Sequence, residues 1–245
     1  MKRLLSVLLV VLGLGTTAAK ASADSNKAYT GSRSYAPPSD ELSSWSPEGF
    51  ALQLGVGVYR PDPGDAAFDS IYSGDNGPLI SLEFDFLIYR IPYLGPFGLG
   101  VSGGWAKYSG SACALDGGGS SCTPTAESTK FSLFPVAPLF VLRIDGLARH
   151  TPVPLVFMGK VGYDSIFFIE KVGGDKSTGR THGFRWGANV ALELNFINKR
   201  RARALDDDWG INSSYIFVEV GGSDANNRVQ LGDKVFWFAG LGLTF

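Results

Sequence analysis

From Phe50 onward, apolar and polar residues alternate along most of this chain. Phe50, Leu52, Leu54, Val56 and Val58 share one face of an extended segment, with Ala51, Gln53, Gly55 and Gly57 on the other. A second run sets Ile80, Leu82, Phe84, Phe86 and Ile88 against Ser81, Glu83 and Asp85. A third sets Phe97, Leu99, Val101 and Trp105 against Gly98, Gly100, Ser102, Gly104 and Ala106. Period two over such lengths predicts β-strands, whose successive side chains point to opposite faces. The fourth run, Lys130 to Asp145, contains Pro135 and Pro138, and its apolar face switches near them. Proline has no ladder donor, so a bulge or a local loss of pairing is expected there.

Four more runs follow. Val153 to Tyr163 places Leu155, Phe157 and Val161 against Lys160, Gly162 and Asp164. Phe184 to Phe196 alternates throughout, with Arg185, Asn189 and Glu193 among its polar positions. Ile216, Val218 and Val220 oppose Ser213, Tyr215 and Glu219; Val235, Trp237, Ala239, Leu241, Leu243 and Phe245 oppose Phe236, Phe238, Gly240, Gly242 and Thr244. Each run approaches the roughly 9–11 residues a tilted strand needs to cross a bilayer. An even count of eight suits a closed up-and-down barrel. Long, polar, Gly-rich connections (61–77, 109–127, 165–180 and 221–233) alternate with short ones (90–95 and 145–151), and 198–210 is a longer exception. Long connections are expected outside the cell and short ones in the periplasm, with both termini periplasmic.

A soluble sandwich also alternates. Three features favour the membrane barrel. The less apolar face is mostly Gly, Ala and Ser with a few charges, which fits a narrow lumen. Trp105, Trp186 and Trp237 fall toward the expected outer strand ends and Phe97, Phe196 and Phe245 toward the inner ones, as two interfacial girdles. The last run alternates up to Phe245, and in this Trp237, Leu241, Leu243 and Phe245 resemble the C-terminal signal that the outer-membrane assembly machinery reads in bacterial barrel proteins. The expected fold is therefore all-β, a closed antiparallel transmembrane barrel over residues 49–245.

Composition agrees. The chain has 32 glycines and 31 aromatic residues among 245, yet only 18% charged residues. Beyond the N-terminus no apolar run reaches the ~18 residues of a membrane helix. Met1–Ala23 has Lys2 and Arg3, an apolar Leu4–Leu14 core and an Ala21-Ser22-Ala23 cleavage site, as expected of a secretory signal peptide. Its removal takes three cations and leaves 19 basic against 23 acidic residues, a net −4 that suggests no nucleic-acid partner. Residues 24–48, rich in Ser and Pro, read as a flexible periplasmic leader. Export makes a disulfide between Cys113 and Cys122 the natural reading.

The chain as a whole resembles small eight-stranded bacterial outer-membrane barrels. The segment Leu205-Asp206-Asp207-Asp208-Trp209-Gly210-Ile211-Asn212, with Tyr215, Phe217, Glu219, Leu231-Gly232-Asp233 and Gly240-Leu241, resembles a myxobacterial family of such proteins. That resemblance implies a fold and an outer-membrane location but no activity.

The expected lumen charges are Glu83, Asp85, Lys160, Arg185, Glu193 and Glu219, with Glu83, Lys160 and Arg185 at similar depth in the outer half. They form either a static ion-pair network or the lining of a narrow path for small or hydrophobic solutes; an eight-stranded barrel is normally filled by its own side chains. His150 and His182 are the only histidines. An outer-leaflet lipid hydrolase would need a serine activated by one of them, but no such spacing and no G-x-S-x-G is present, so no enzyme is expected. Asp62, Asp65, Asp69 and Asp75 show no calcium-loop spacing, and no metal or cofactor is expected. Lys199, Arg200, Arg201 and Arg203 precede Asp206–Asp208; this block either pairs with itself or meets anionic headgroups of the inner leaflet. The expected role is structural or interaction-based. Its expected partners are outer-membrane lipid and lipopolysaccharide, the assembly machinery and an unidentified envelope component.

Overall fold

The computed structural model describes residues 48–61, 68, 71–72, 77–115, 122–227 and 229–245, without the side chains of 112–126 and 199. The expected signal peptide and leader up to residue 47, the four loop aspartates and the side chains of Cys113 and Cys122 lie outside this description.

Eight strands close into one antiparallel barrel in chain order. They are β1 (Phe50–Tyr59), β2 (Gly77–Ile91), β3 (Gly95–Leu115), β4 (Cys122–Ile144), β5 (Leu155–Val172), β6 (Asp175–Glu193), β7 (Ser213–Asp224) and β8 (Phe236–Thr244). The seam pairs β1 with β8, from Leu52 opposite Leu243 to Val58 opposite Trp237. It is fastened at its inner end by Phe245, whose N–H donates to the Phe50 carbonyl at 2.8 Å and whose carbonyl accepts from Gly49 and Phe50. The Phe50 and Phe245 rings stack at 4.5 Å. Closure leaves no sheet edge, so every spanning backbone group can be paired within the protein, as a lipid environment demands.

The alternating runs become a barrel turned inside out relative to a soluble core. Leu54, Val56, Leu82, Leu99, Phe140, Val161, Val190, Val218 and Leu241 stand exposed on the outer wall. Small inner-face residues leave space for large neighbours. A Cβ on Gly242 would lie 2.3 Å from the Tyr215 ring, and one on Gly77 would lie 2.4 Å from that of Tyr108. Glycine in the lumen thus admits aromatic packing that alanine would block.

Three expectations need correction. The segments 109–127 and 165–180 are not loops: β3 runs out to Leu115, β4 begins at Cys122, and β5 and β6 meet at Gly173-Gly174. Both glycines of that turn have positive φ (57° and 118°), which L-residues with a Cβ rarely adopt. Above the membrane neither face of these extensions must be apolar, so ladder hydrogen bonds persist where the alternation fades. In consequence Trp105 and Trp186 sit mid-strand rather than near strand ends, and β3–β6 rise as a wall beyond the shorter β1, β2, β7 and β8.

The prolines do not introduce a bulge. Pairing lapses beside them while the register with both β3 and β5 is kept, from Phe97 opposite Leu142 to Ser111 opposite Ser128 and from Thr129 opposite Val172 to Ile144 opposite Phe157. Nor does the apolar face switch. Phe131, Leu133, Pro135, Ala137, Leu139, Val141 and Arg143 are all buried and inward, while the residues that alternate with them face out. The run looks irregular because both of its faces carry apolar residues.

The inner connections are the turn at 92–94, α1 (Gly146–His150) and α2 (Lys199–Trp209). The last was expected only as a charged stretch. Asn198 caps it by accepting the Arg201 N–H at 3.1 Å, and Gly210 ends it in the left-handed region at φ 67°.

Candidate lumen and surface sites

Inward positions of five strands build a central polar layer. Lys160 of β5 reaches Glu219 of β7, Nζ to Oε2 at 2.5 Å, and forms an ion pair with Glu83 of β2. Gln53 of β1 donates to Glu83 Oε1 and Asp85 Oδ2, each at 3.2 Å, and accepts from Asn189 of β6 at 3.1 Å and Lys160 at 3.4 Å. Asn189 also donates to Glu219 Oε2 at 3.3 Å. All six side chains belong to residues no more than 3% exposed. Lys160 therefore ties together strands from opposite sides of the lumen.

Two further layers flank it. Toward the inner end, Arg143 of β4 donates to Glu193 at 3.0 Å and Thr244 at 3.1 Å, with its guanidinium over the Tyr215 ring at 5.1 Å. Toward the outer end, Asp164 accepts from Ser223 at 2.7 Å and lies 4.0 Å from Arg185, which covers Phe236 at 4.9 Å. Arg185 thus does not share the layer of Glu83 and Lys160; it is matched by Asp164. Above these, Phe68 and Tyr72 from the β1–β2 connection pack against Tyr108 and Phe131, and the Tyr72 hydroxyl donates to Glu170 at 2.9 Å. The lumen is filled with side chains along its length, as expected of eight strands.

Gln53, Arg143, Asp164 and Asn189 complete the network beyond the charges picked out from sequence. Parity finds Gln53, Asp164 and Asn189, which fall on inward positions of clean alternating runs; Arg143 lies in the proline-interrupted run, where the pattern suggests a change of face. Among the described residues no cluster of His, Cys, Asp or Glu could hold a metal ion. His182 lies 2.8 Å from the Asn227 amide and packs on Tyr163, and His150 packs on Tyr93. Trp237 and Leu241 face outward and exposed.

A second cluster sits at the inner rim. Asp145, just before α1, accepts from Arg90 at 2.7 and 3.0 Å and from Arg149 at 2.8 Å, and both arginines also bind Glu48. Glu48, the last residue of the expected leader, is therefore tied to the barrel. Burial acts to raise the Asp145 carboxyl, but the two guanidinium groups outweigh it and hold the carboxyl below its ordinary value.

The outer wall carries a third feature. Lys130 of β4 lies directly opposite Lys171 of β5, which lies directly opposite Lys176 of β6. Lys107 and Arg180 belong to the same outward face, and all five cations are exposed. The ion pairs of the described residues involve none of them. Along the strands they begin just past an exposed aromatic set, Trp105, Phe134 and Phe167. Lys130 and Lys171 lie four residues beyond Phe134 and Phe167. At about 3.4 Å per residue and a tilt near 40°, that is roughly 10 Å outward. Aromatic side chains mark the edge of the hydrocarbon, so the lysines stand at the height of the headgroups.

A closed eight-stranded barrel with an apolar outer wall and a lumen packed by its own side chains is a small outer-membrane β-barrel. Solved structures show the same fold: OprG from Pseudomonas aeruginosa is similar over 81% of this chain and 96% of its own, with a TM-score of 0.50 and 11% identity. Ail of Yersinia pestis, solved in complex with the heparin analogue sucrose octasulfate, is similar over 81% of this chain and 97% of its own (TM-score 0.45, 11% identity). Neisserial surface protein A is similar over 80% of this chain and 95% of its own (TM-score 0.42, 12% identity). No protein-family profile matches the sequence, and no curated protein does.

Two predictions follow from these clusters. Lys160→Met leaves Glu83 and Glu219 buried without their cation and should cost about 3–5 kcal/mol. This would read as a lower urea midpoint in detergent, and adding Glu83→Gln and Glu219→Gln should restore most of the loss. For Asp145 the folded-state value is depressed, so its contribution is present above the ordinary value of 3.8 and is lost as pH falls through the folded value. The difference in urea midpoint between the natural protein and Asp145→Asn should be full near pH 6 and vanish at strongly acidic pH.

Proposed function

We propose that this barrel is a non-enzymatic envelope protein whose outer wall binds the phosphates of lipopolysaccharide. The observation that carries the reading is the lysine row across β4, β5 and β6. Like charges directly opposite one another destabilise a sheet. Three in succession, on a wall raised to headgroup height, are accounted for by an anionic partner that neutralises them. The nearby acids Glu127 and Asp175 lie close to the hairpin tip rather than within the row.

The alternative of a narrow pore is less well supported, because the charges that would line it are buried against one another. A signal peptide over residues 1–23 and a leader over 24–48 fit an exported barrel, and the 205–219 segment supports kinship with the myxobacterial barrels. The Trp237, Leu241, Leu243 and Phe245 face serves as the assembly signal in this reading. A Cys113–Cys122 disulfide remains part of this reading and would brace the tip of the wall.

The test compares binding of lipopolysaccharide and dephosphorylated lipopolysaccharide to the purified barrel. With each cation contributing about 1 kcal/mol near an anionic surface, the Lys130→Gln, Lys171→Gln, Lys176→Gln variant should bind the phosphorylated form roughly a hundredfold more weakly. The same variant should unfold at an equal or higher temperature, since repulsion has been removed. Unchanged affinity would overturn the proposal.

A further inference from the structure

We infer that α2 is an interfacial anchor that binds anionic phospholipid in the periplasmic leaflet, at the end of the barrel opposite the lysine row. One side of the helix is covered: Ala202 is buried and Asp206, one turn on, is half-buried. Beside that line run Arg201, Leu205 and Trp209, spaced i, i+4 and i+8 and therefore forming one stripe. Leu205 is 40% exposed and Trp209 74%. Just before the helix, Phe196 and Ile197 are 52% and 68% exposed. Phe196 and Ile197 lie in the turn just past the end of β6, whose outward face carries Trp186, Val190 and Leu192, so this apolar surface borders the lipid-facing wall.

The charges of α2 point to the same occupant. Cations crowd its first turn and three aspartates its last, the reverse of what the helix dipole favours. Helix stability thus gives no reason for this order. Self-pairing covers only part of it. Arg203 has Asp206 and Asp207 at i+3 and i+4, but Arg200 and Arg201 have no carboxylate at either spacing. An arginine, a leucine and an indole on one stripe, bordering a lipid-facing wall, have the chemistry of a bilayer interface. There the guanidinium meets phosphate while the indole and the aliphatic side chain enter the headgroup boundary. Arg200 and Arg201 make the anionic headgroup the preferred one.

The test uses the whole barrel reconstituted in mixed phosphatidylcholine and phosphatidylglycerol vesicles, with brominated chains on one lipid or the other. Trp209 fluorescence is taken as the difference between the natural protein and Trp209→Phe. Bromine quenching should favour phosphatidylglycerol over phosphatidylcholine by about tenfold or more. Arg200→Gln with Arg201→Gln should bring that preference close to unity, while heat-modifiable migration on gels confirms that the barrel stays folded. Two results would overturn the inference. One is a Trp209 reached by aqueous acrylamide but not by brominated lipid, as expected if the helix serves a protein partner. The other is equal quenching by both lipids in the natural protein.

Discussion

The ammonium of Lys160 lies in the lumen between Glu219 and Glu83, carried by strands that are not its neighbours in the sheet. Rolling a sheet into a barrel with its apolar face outward leaves an inner face too small for a core and too dry for free charge. Polar groups placed there must find partners across the lumen, because an unpaired buried charge is more costly than the pair. Lys160, Gln53 and Asn189 supply those partners in the middle, Arg143 does so at the inner end and Arg185 at the outer end. The small residues between them let Tyr215, Phe236 and Phe238 fill what remains. The close packing of the described lumen residues follows from this pairing.

Much of this was legible before any geometry. A two-residue period needs only side-chain chemistry, and Phe50–Tyr59, the Ile80–Ile88 stretch and Trp237–Phe245 carry it without ambiguity. The lumen was legible in kind but not in partnership. Glu83 and Arg185 both stand on inward positions, yet strand tilt and stagger decide which charges meet, and these depend on register around the whole ring. Arg143 was hidden by Pro135 and Pro138, which suggested a change of face that the backbone does not make. The extended wall was hidden for another reason: beyond the bilayer a strand is held by its ladder, and Lys171 and Lys176 look like loop residues until pairing sets them beside Lys130. The α2 helix did leave a trace, in Asn198 and Gly210 at the two ends of an uninterrupted stretch.

The barrel thus carries charged clusters at its two membrane faces. The outer wall offers concentrated positive charge above an aromatic girdle. The inner rim offers the Glu48, Arg90, Asp145 and Arg149 cluster and the short charged helix. The inner-rim cluster adds to the stability of the barrel, whereas the opposed lysines work slightly against it. Such features are where function is to be sought in a fold whose interior is committed to its own stability.

Electrical recording from the purified protein in planar bilayers tests the filled lumen most directly. The network centred on Lys160 predicts a silent membrane, with no discrete conductance steps for the natural protein at moderate voltage and neutral pH. Sustained single-channel openings that change in size with Glu83→Gln or Arg185→Gln would contradict it and make the lumen, rather than the outer wall, the functional surface.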